Sequence, residues 1–273
     1  MQLPPKSYSP AFSGFLRSYY LAPNHPCKLR LLRWLEAMAG KKRILVKTAS
    51  GFRFAVDRQD YIQNTVCQTL RWENEIGKVL SAELKASDVF YDIGANVGYF
   101  SLFALQLGCR KVVSFEPNPD LRAVFLYNLE LNHYTEEKCR LVHSALAGHV
   151  GDFIYQEGPL SNSGIGHLVA GSDAPGIKVR TETLDHFLEN TGLPPPTVIK
   201  LDVEGWEIDI LRGAEKLFEK SPPRLVIFEA DCKADCEIAD KELSRFFTAH
   251  GYATEHLRRK EIEAKENYVA RRI

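Results

Sequence analysis

The sequence predicts a doubly wound α/β fold with a Rossmann-like sheet, and three observations predict it. From residue 89 onward short apolar strands alternate with amphipathic helical stretches, the pattern of a sheet covered on both faces. The first of these strands, Val89-Phe90-Tyr91, runs into Asp92-Ile93-Gly94-Ala95-Asn96-Val97-Gly98 and then into an apolar helical pattern over Tyr99 to Leu107. That unit reads strand, glycine turn, helix. Polar residues also stand where strands end, at Asp92, Glu116, Ser144, Asp202 and Glu229. Open sheets of this kind bind ligands beyond the carboxyl ends of their strands. Their convergence predicts a single site along that edge.

The elements follow in order. Residues 1–10 are proline-rich and polar and read as a mobile arm. Ala11 to Tyr20 and Lys28 to Ala39 read as helices, the second with Leu31, Leu32, Leu35 and Met38 at helical spacing and Gly40 as its C-cap. Ile44 to Lys47 and Phe52 to Val56 flank Ala49-Ser50-Gly51 and predict a β-hairpin. Asp60 to Trp72 and Glu73 to Leu84 are helical in pattern and lead into the first core strand. The second strand, Lys111 to Phe115, ends in Glu116. A helix over Leu121 to Asn132 follows, with Asn118 and Asp120 able to cap it. Arg140 to Leu146 is a third strand. The glycine-containing stretch Gly148 to Gly176 is irregular, with a short hairpin around Asp152 to Gln156 and a loop over the site. A short strand over Ile177 to Arg180 and a helix over Thr183 to Asn190 come next. Leu193-Pro194-Pro195-Pro196 then breaks the chain before the fourth strand, Val198 to Leu201. A helix carrying Ile208, Leu211 and Leu217, a fifth strand over Arg224 to Phe228, a helix over Lys241 to His250 and closing strands at Tyr252 to Leu257 and Asn267 to Arg271 complete the layout. This divides the chain into a helical and hairpin extension, residues 1–60, and a ligand-binding domain, residues 61–273.

Composition narrows the partners. With 273 residues and 45% hydrophobic content the chain can hold one α/β domain and a modest extension. Lys plus Arg and Asp plus Glu are 35 each, a net charge of zero, which argues against nucleic acid as a partner and for a small or neutral substrate. Six cysteines without a disulfide-scaffold spacing point to a reduced, cytoplasmic setting. Cys232 and Cys236, beside Asp231 and Asp235, would make half a metal site, but no second paired cluster lies nearby in sequence, and no metal is predicted. No apolar run approaches the ~20 residues that span a bilayer, and no signal peptide pattern opens the chain, so a soluble protein is expected. Nothing in the pattern specifies an oligomeric state.

Two nucleoside ligands suit a strand, a glycine turn and a distal acid. A dinucleotide requires glycine at the first, third and sixth positions of the turn so that a pyrophosphate can rest on the helix N-terminus. Counted from Gly94, the third and sixth positions hold Asn96 and Tyr99. Asp92 would also repel a pyrophosphate, whereas it suits the cationic methionine end of S-adenosylmethionine. Glu116 lies about 20 residues beyond the glycines, where such folds place the carboxylate that accepts from ribose hydroxyls. S-adenosylmethionine is therefore the expected cofactor.

Three segments, Asp92-Ile-Gly-Ala-Asn-Val-Gly-Tyr-Phe100, Phe115-Glu-Pro-Asn-Pro119 and Ile199-Lys-Leu-Asp-Val-Glu-Gly-Trp-Glu207, resemble the FkbM family of S-adenosylmethionine-dependent methyltransferases. Asn162-Ser-Gly164, Leu211-Arg-Gly-Ala214 and the strand ending Ile227-Phe-Glu229 extend the match, which covers roughly residues 60 to 273. The resemblance implies a class I methyltransferase sheet of seven strands with an antiparallel last strand. It implies O-methylation of a hydroxyl on a sugar or natural-product acceptor. The cofactor would then lie against Asp92, Ile93, Gly94, Ala95, Asn96, Gly98 and Tyr99, with Glu116 and Pro117 at the ribose and Ser144 and Ala145 near the adenine. Ser144 reads equally well as an ordinary strand-end hydroxyl bonded to backbone.

Asp202-Val-Glu204-Gly205-Trp-Glu207 is the second concentration of chemistry. Asp202 and Glu204 point to opposite sides unless the chain turns at once, and Gly205 makes that turn expected. With Glu229 they form the predicted catalytic set. They would orient the donor's ammonium, act as general base toward a hydroxyl, or hold a divalent cation, which is not itself predicted. The competing reading is that one acid merely caps the following helix. His143 and His167 are weaker candidate bases, and Arg71 a weaker anion ligand. Tyr61, Trp72 and Trp206 would wall an acceptor or simply pack. An N-methyltransferase, a non-catalytic protein of the same fold and a nicotinamide-dependent oxidoreductase remain as alternatives.

Overall fold

In the computed structural model the described residues are 43–158, 162–169, 175–233, 236–257 and 265–273. The arm, the two helices and the cap expected before residue 41 lie outside them. The chain is described from a hairpin, β1 (Arg43–Lys47) and β2 (Arg53–Asp57), followed by helices α1 (Tyr61–Thr69) and α2 (Asn74–Glu83). Then come β3 (Val89–Ile93), α3 (Tyr99–Gln106), β4 (Lys111–Phe115), α4 (Pro119–Leu131) and β5 (Cys139–Val142). The middle of the chain holds β6 (Ala145–Leu146), β7 (Gly151–Gln156), a 3-10 turn (Ser163–Ile165), β8 (His167–Val169) and β9 (Ile177–Glu182). After these stand α5 (Leu184–Thr191), β10 (Val198–Leu201), α6 (Glu207–Arg212), α7 (Glu215–Lys220), β11 (Leu225–Asp231), α8 (Lys241–Ala249), β12 (Tyr252–His256) and β13 (Lys265–Arg272).

Among the described residues, the central sheet has seven strands in the order β5-β4-β3-β10-β11-β13-β12. β5, β4, β3, β10 and β11 are mutually parallel, and the final strand, β13, runs antiparallel to both neighbours. This is the expected seven-stranded layout with its antiparallel last strand. β3 and β10 are buried along their whole length, as strands covered on both faces must be. Chain order reverses between these two strands, and at such a switch point a crevice opens beyond the strand ends.

The hairpin, α1, α2, α3 and α4 pack one face of the sheet in a cluster that includes Phe52, Phe54, Phe90 and Leu102. On the other face α5 to α8 close over Tyr91, Phe115, Phe228 and Phe247. Asn128 of α4, fully buried, joins the hairpin to the glycine turn. Its Oδ1 accepts from the Ala55 N–H at 2.8 Å, and its Nδ2 donates to the Val97 carbonyl at 2.9 Å.

The sequence differs from the structure in the middle third. The single strand expected over Arg140 to Leu146 breaks at His143 and Ser144. There the chain leaves β4 and is captured by β9: Ser144 donates to the Glu182 carboxylate and the Ala147 N–H to the Glu182 carbonyl. The strands expected around Asp152 to Gln156 and over Ile177 to Arg180 are β7 and β9, and they join β6 and β8, the latter from the stretch expected to be a loop, in a second sheet, β6-β9-β7-β8, whose face buries Phe153, Tyr155, Leu168 and Val179. The helix after β10 is likewise two short helices. They part at Gly213, where a Cβ would stand 2.6 Å from the Ala147 carbonyl oxygen. α1 stops at Thr69 rather than Trp72 because Leu70 turns left-handed, at φ 61°.

Candidate functional site

The turn after β3 is built on two glycines at positive φ, Gly94 at 82° and Gly98 at 87°. The N–H groups of Gly94 and Ala95 both reach the Phe115 carbonyl, at 3.1 and 3.0 Å, so the turn folds back over the end of β4. A Cβ on Gly94 would lie 1.8 Å from the Asp202 carbonyl oxygen. The exits of β3 and β10 therefore meet backbone to backbone, which only glycine allows. Gly98 performs the same service for α4, because a Cβ there would enter the Phe125 ring.

Asn96 takes a left-handed conformation, φ 51°, and so aims its own N–H at Glu116 Oε2, 2.9 Å away. The other oxygen, Oε1, accepts the Asn118 N–H at 2.8 Å. Burial pushes the Glu116 carboxyl up to about 7, against the pull of these two amides and the more distant Arg122. Glu116 also lines a cavity beyond the strand ends, with Gly94 and Asn96 beside it and Asp202 and Glu204 across from it.

Of the residues predicted for the site, Ile93, Gly94, Asn96, Glu116, Pro117, Ala145, Asp202 and Glu204 line this cavity. Six others do not. Asp92 lies beneath the turn, buried, where Ser101 Oγ donates to it at 2.5 Å and burial raises its carboxyl above the ordinary range. Ala95 and Gly98 support the turn from behind. Tyr99 swings to the far face, its ring edge-on to Phe52 and Phe54 at 5.3 and 5.6 Å. Ser144 is engaged with Glu182. Glu229 opens instead on a neighbouring pocket, with Gly205, Glu207 and Lys265.

The roof comes from the second sheet and the 3-10 turn. Ser163, Gly164, Gly166, His167, Leu168 and Tyr155 face the cavity. Ser163 is the tie point: its hydroxyl accepts from Asn96 Nδ2 at 3.1 Å and its N–H donates to Asp60 Oδ2 at 2.7 Å. The segment Asn162-Ser-Gly164, noted for its resemblance, thus covers the pocket; Tyr155 lies on the strand expected around Asp152 to Gln156, while Leu168 falls in the expected loop and carries no signal. His143 is exposed and absent from the lining. Trp206 packs: its indole donates to the Leu168 carbonyl at 3.0 Å and its ring meets Phe153 edge-on. Tyr61 sits edge-on to Trp72, and Arg71 lines a separate cavity beside Trp72 and Tyr99.

The acids after β10 are held in ion pairs. Lys200, almost fully buried, contacts Asp202 at 2.8 Å and lies over the Phe100 ring. Burial alone would pull its ammonium down, but Asp202 and Asp92 hold it above the ordinary lysine range. Glu204, itself left-handed at φ 56°, meets Lys265 at 2.6 Å, and Lys265 also stands 3.5 Å from Glu229. Carboxylate oxygens of Asp202, Glu204 and Glu229 lie within 4.8 Å of one another. Burial first, and the charges of Asp202 and Glu204 after it, push Glu229 up to about 8, with Lys265 opposing. A divalent cation and Lys265 would compete for the same oxygens. Capping of the following turn falls to Glu207, whose carboxylate accepts the N–H groups of Val203 and Gly205. Asp202 and Glu204 are thereby left for other work.

The family described as "Methyltransferase FkbM domain" matches residues 92–254. Among curated proteins, the hexuronic acid methyltransferase AglP of Haloferax volcanii is 28% identical over 218 residues, covering 79% of this chain and 86% of AglP. Among solved structures, methyltransferase FkbM of Methylobacillus flagellatus is 15% identical with a TM-score of 0.49, covering 96% of this chain. The chain spans 58% of the length of that protein. TYW2 of M. jannaschii, solved in complex with AdoMet, is 14% identical with a TM-score of 0.45, covering 85% of this chain and 87% of the other.

Proposed function

The chain belongs to the FkbM methyltransferase family, and from that premise we propose that it methylates an oxygen of a sugar acceptor with S-adenosylmethionine. The observation that carries the reading is the joining of Glu116, the Gly94 turn and the Asp202–Glu204 acids around one cavity. Bound there, S-adenosylmethionine supplies an electrophilic methyl group on a positively charged sulfur. Its fit rests on Glu116, whose two oxygens can accept from a ribose diol while keeping their backbone amides, at a cavity that Gly94 and Asn96 also line.

Methyl transfer is an in-line displacement, so holding donor and acceptor in near-attack geometry contributes much of the rate. Asn96 and Glu116 would fix the donor, and the roof through Ser163 would exclude water. Asp202 and Glu204 would orient the acceptor hydroxyl, with its proton passing to this carboxylate group as the oxygen gains its methyl. Glu229, pushed up to about 8, already carries its proton near neutral pH, so the proton of the acceptor would fall to Asp202 or Glu204. A sugar is supported by AglP, named a hexuronic acid methyltransferase. The zero net charge of the chain also agrees with a small-molecule or glycan partner rather than nucleic acid. Among the described residues no helix is long and apolar enough to cross a membrane.

The test pairs calorimetry with transfer. Purified protein should bind S-adenosylmethionine and S-adenosylhomocysteine, and should move a labelled methyl group to one of a panel of neutral and uronic sugars. Absence of binding to either nucleoside overturns the reading; transfer only to amines would convert it to N-methylation.

A further inference from the structure

A second constellation lies away from the cavity, and we propose that Cys232, Cys236 and His256 form a zinc-binding site. The two thiols and a ring nitrogen lie within 4.8 Å of one another. They line or adjoin a groove between α8, β12 and the segment after β11, which shares no residue with the cavity at Glu116.

The two cysteines are brought together by a tight reversal at the end of β11. Cys232 bridges Ile238, the Ala239 N–H donates to the Asp231 carbonyl at 2.8 Å, and the Cys236 N–H to the Lys233 carbonyl at 2.9 Å. The third ligand comes from the edge of the sheet. His256 closes β12, and the pairing of β12 with β13 and of β13 with β11 carries it across to the cysteines. No local spacing announces this, which is why the sequence shows only half a site.

His256 is the decisive residue. Its side chain is 9% exposed and its Nε2 stands 3.3 Å from Oε2 of Glu266, whose side chain is fully buried. Its Nδ1 is buried and has no hydrogen-bond partner. Buried polar atoms without a partner are rare and call for an explanation. A histidine that rests one nitrogen on a carboxylate and offers the other to a metal is the usual arrangement around bound zinc, because the carboxylate fixes the tautomer and raises the basicity of the ligand.

The chemistry of the set selects the metal. Two sulfurs and an imidazole are the ligands of zinc rather than of calcium or magnesium, which require oxygen. Zinc–sulfur bonds of about 2.3 Å in a tetrahedron put the sulfurs about 3.8 Å apart. Closure from 4.8 Å thus needs a shift of about 1 Å or less, within reach of side-chain rotation. Both thiols would bind as thiolates, whose two charges the ion cancels, with their protons released to solvent. The groove would leave the fourth position to water. The ion would pin the chain three residues beyond Glu229 to the edge strand of the sheet.

The experiment uses the full chain purified under reducing conditions without chelator. Elemental analysis should find zinc at one ion per chain. Replacement by cobalt in the wild-type protein should give the intense visible bands of a tetrahedral ion and a thiolate-to-cobalt charge-transfer band. Cys232→Ser, Cys236→Ser and His256→Gln should each abolish stoichiometric zinc, and Glu266→Gln should weaken it by about ten- to a hundredfold. The cobalt spectrum needs no variant, so misfolding of one cannot mask the answer. Wild-type protein that shows neither zinc nor the cobalt bands, variants that keep zinc as tightly as wild type, or a Cys232–Cys236 disulfide in reduced protein would each overturn the proposal.

Discussion

On the proposed reading, Glu116 makes the affinity for the methyl donor depend on pH in a calculable way. Burial pushes its carboxyl up to about 7 in the free protein, yet two ribose hydroxyls can donate only to acceptor oxygens and so require the ionised form. With a pKa near 7, about nine in ten carboxyls are protonated at pH 6 and about one in ten at pH 8. Affinity should therefore be about tenfold weaker at pH 6 than at pH 8, which is about 1.4 kcal/mol. Glu116→Gln removes the titration and leaves an amide donor facing a backbone N–H of Asn96 or Asn118. Loss of two charge-assisted bonds should weaken binding by about 2–3 kcal/mol at pH 8. In the free protein the sign is opposite. Between 4.5 and about 7 the folded chain holds this proton more tightly than the unfolded chain does, so stability falls as pH rises through that window. The fall spans about 2.5 pH units at 1.36 kcal/mol each, on the order of 3 kcal/mol. Unliganded wild type should thus lose stability from pH 5 to pH 8 while Glu116→Gln protein shows no such fall, and the variant should bind less well. Calorimetry across pH 6 to 8 reads the first effect and thermal unfolding the second. The ammonium of the ligand titrates near 8 as well, so the quantity of interest is the difference between the two proteins. Identical pH profiles for wild type and Glu116→Gln would refute the assignment of Glu116 to the ribose.

Three further outcomes follow from the same geometry. Gly94→Ala combines a left-handed φ with a Cβ 1.8 Å from the Asp202 carbonyl; it should lower stability by at least about 2 kcal/mol and abolish nucleoside binding by calorimetry, and native-like binding would show that β3 and β10 do not meet as described. Asp202→Asn and Glu204→Gln should each lower the methyl-transfer rate by about a hundredfold or more, the scale of a general base, with the dissociation constant for S-adenosylhomocysteine changed far less; an amine acceptor would show little loss. Asn128→Ala strands the Ala55 N–H and the Val97 carbonyl, so denaturant unfolding should report a loss of about 2–4 kcal/mol, and a loss below about 1 would mean that the hairpin is not docked through this residue.

The parts of the molecule legible in the sequence are those whose signals are local. Gly94, Gly98 and Glu116 belong to a strand, turn, helix, strand unit whose spacing is set by the elements themselves, so their partnership is readable from that spacing alone. Tyr99 shows the limit. It opens a helix that follows the turn, but the hairpin residues Phe52 and Phe54 draw its ring to the opposite face. Lys265 carried no signal, because it reaches Glu204 only through the antiparallel pairing of β13 with β11. The roof was hidden for a similar reason. β6 and β8 are too short to show alternation, and their pairing runs through β9 and β7 rather than through adjacent residues.

The tie at Ser163 has a dynamic consequence. The turn above the Glu116 cavity is fastened to Asn96 on one side and to the capping acid of α1, Asp60, on the other. Releasing two such bonds to water costs about 2–3 kcal/mol, which corresponds to roughly one molecule in a hundred standing ajar at any moment. On the proposed reading, spent donor would escape by brief unlatching of a single turn, with the central sheet undisturbed. Amide hydrogen exchange at Ser163 and Gly164 should accordingly run far ahead of that in β3 and β10, and slow when the pocket is filled.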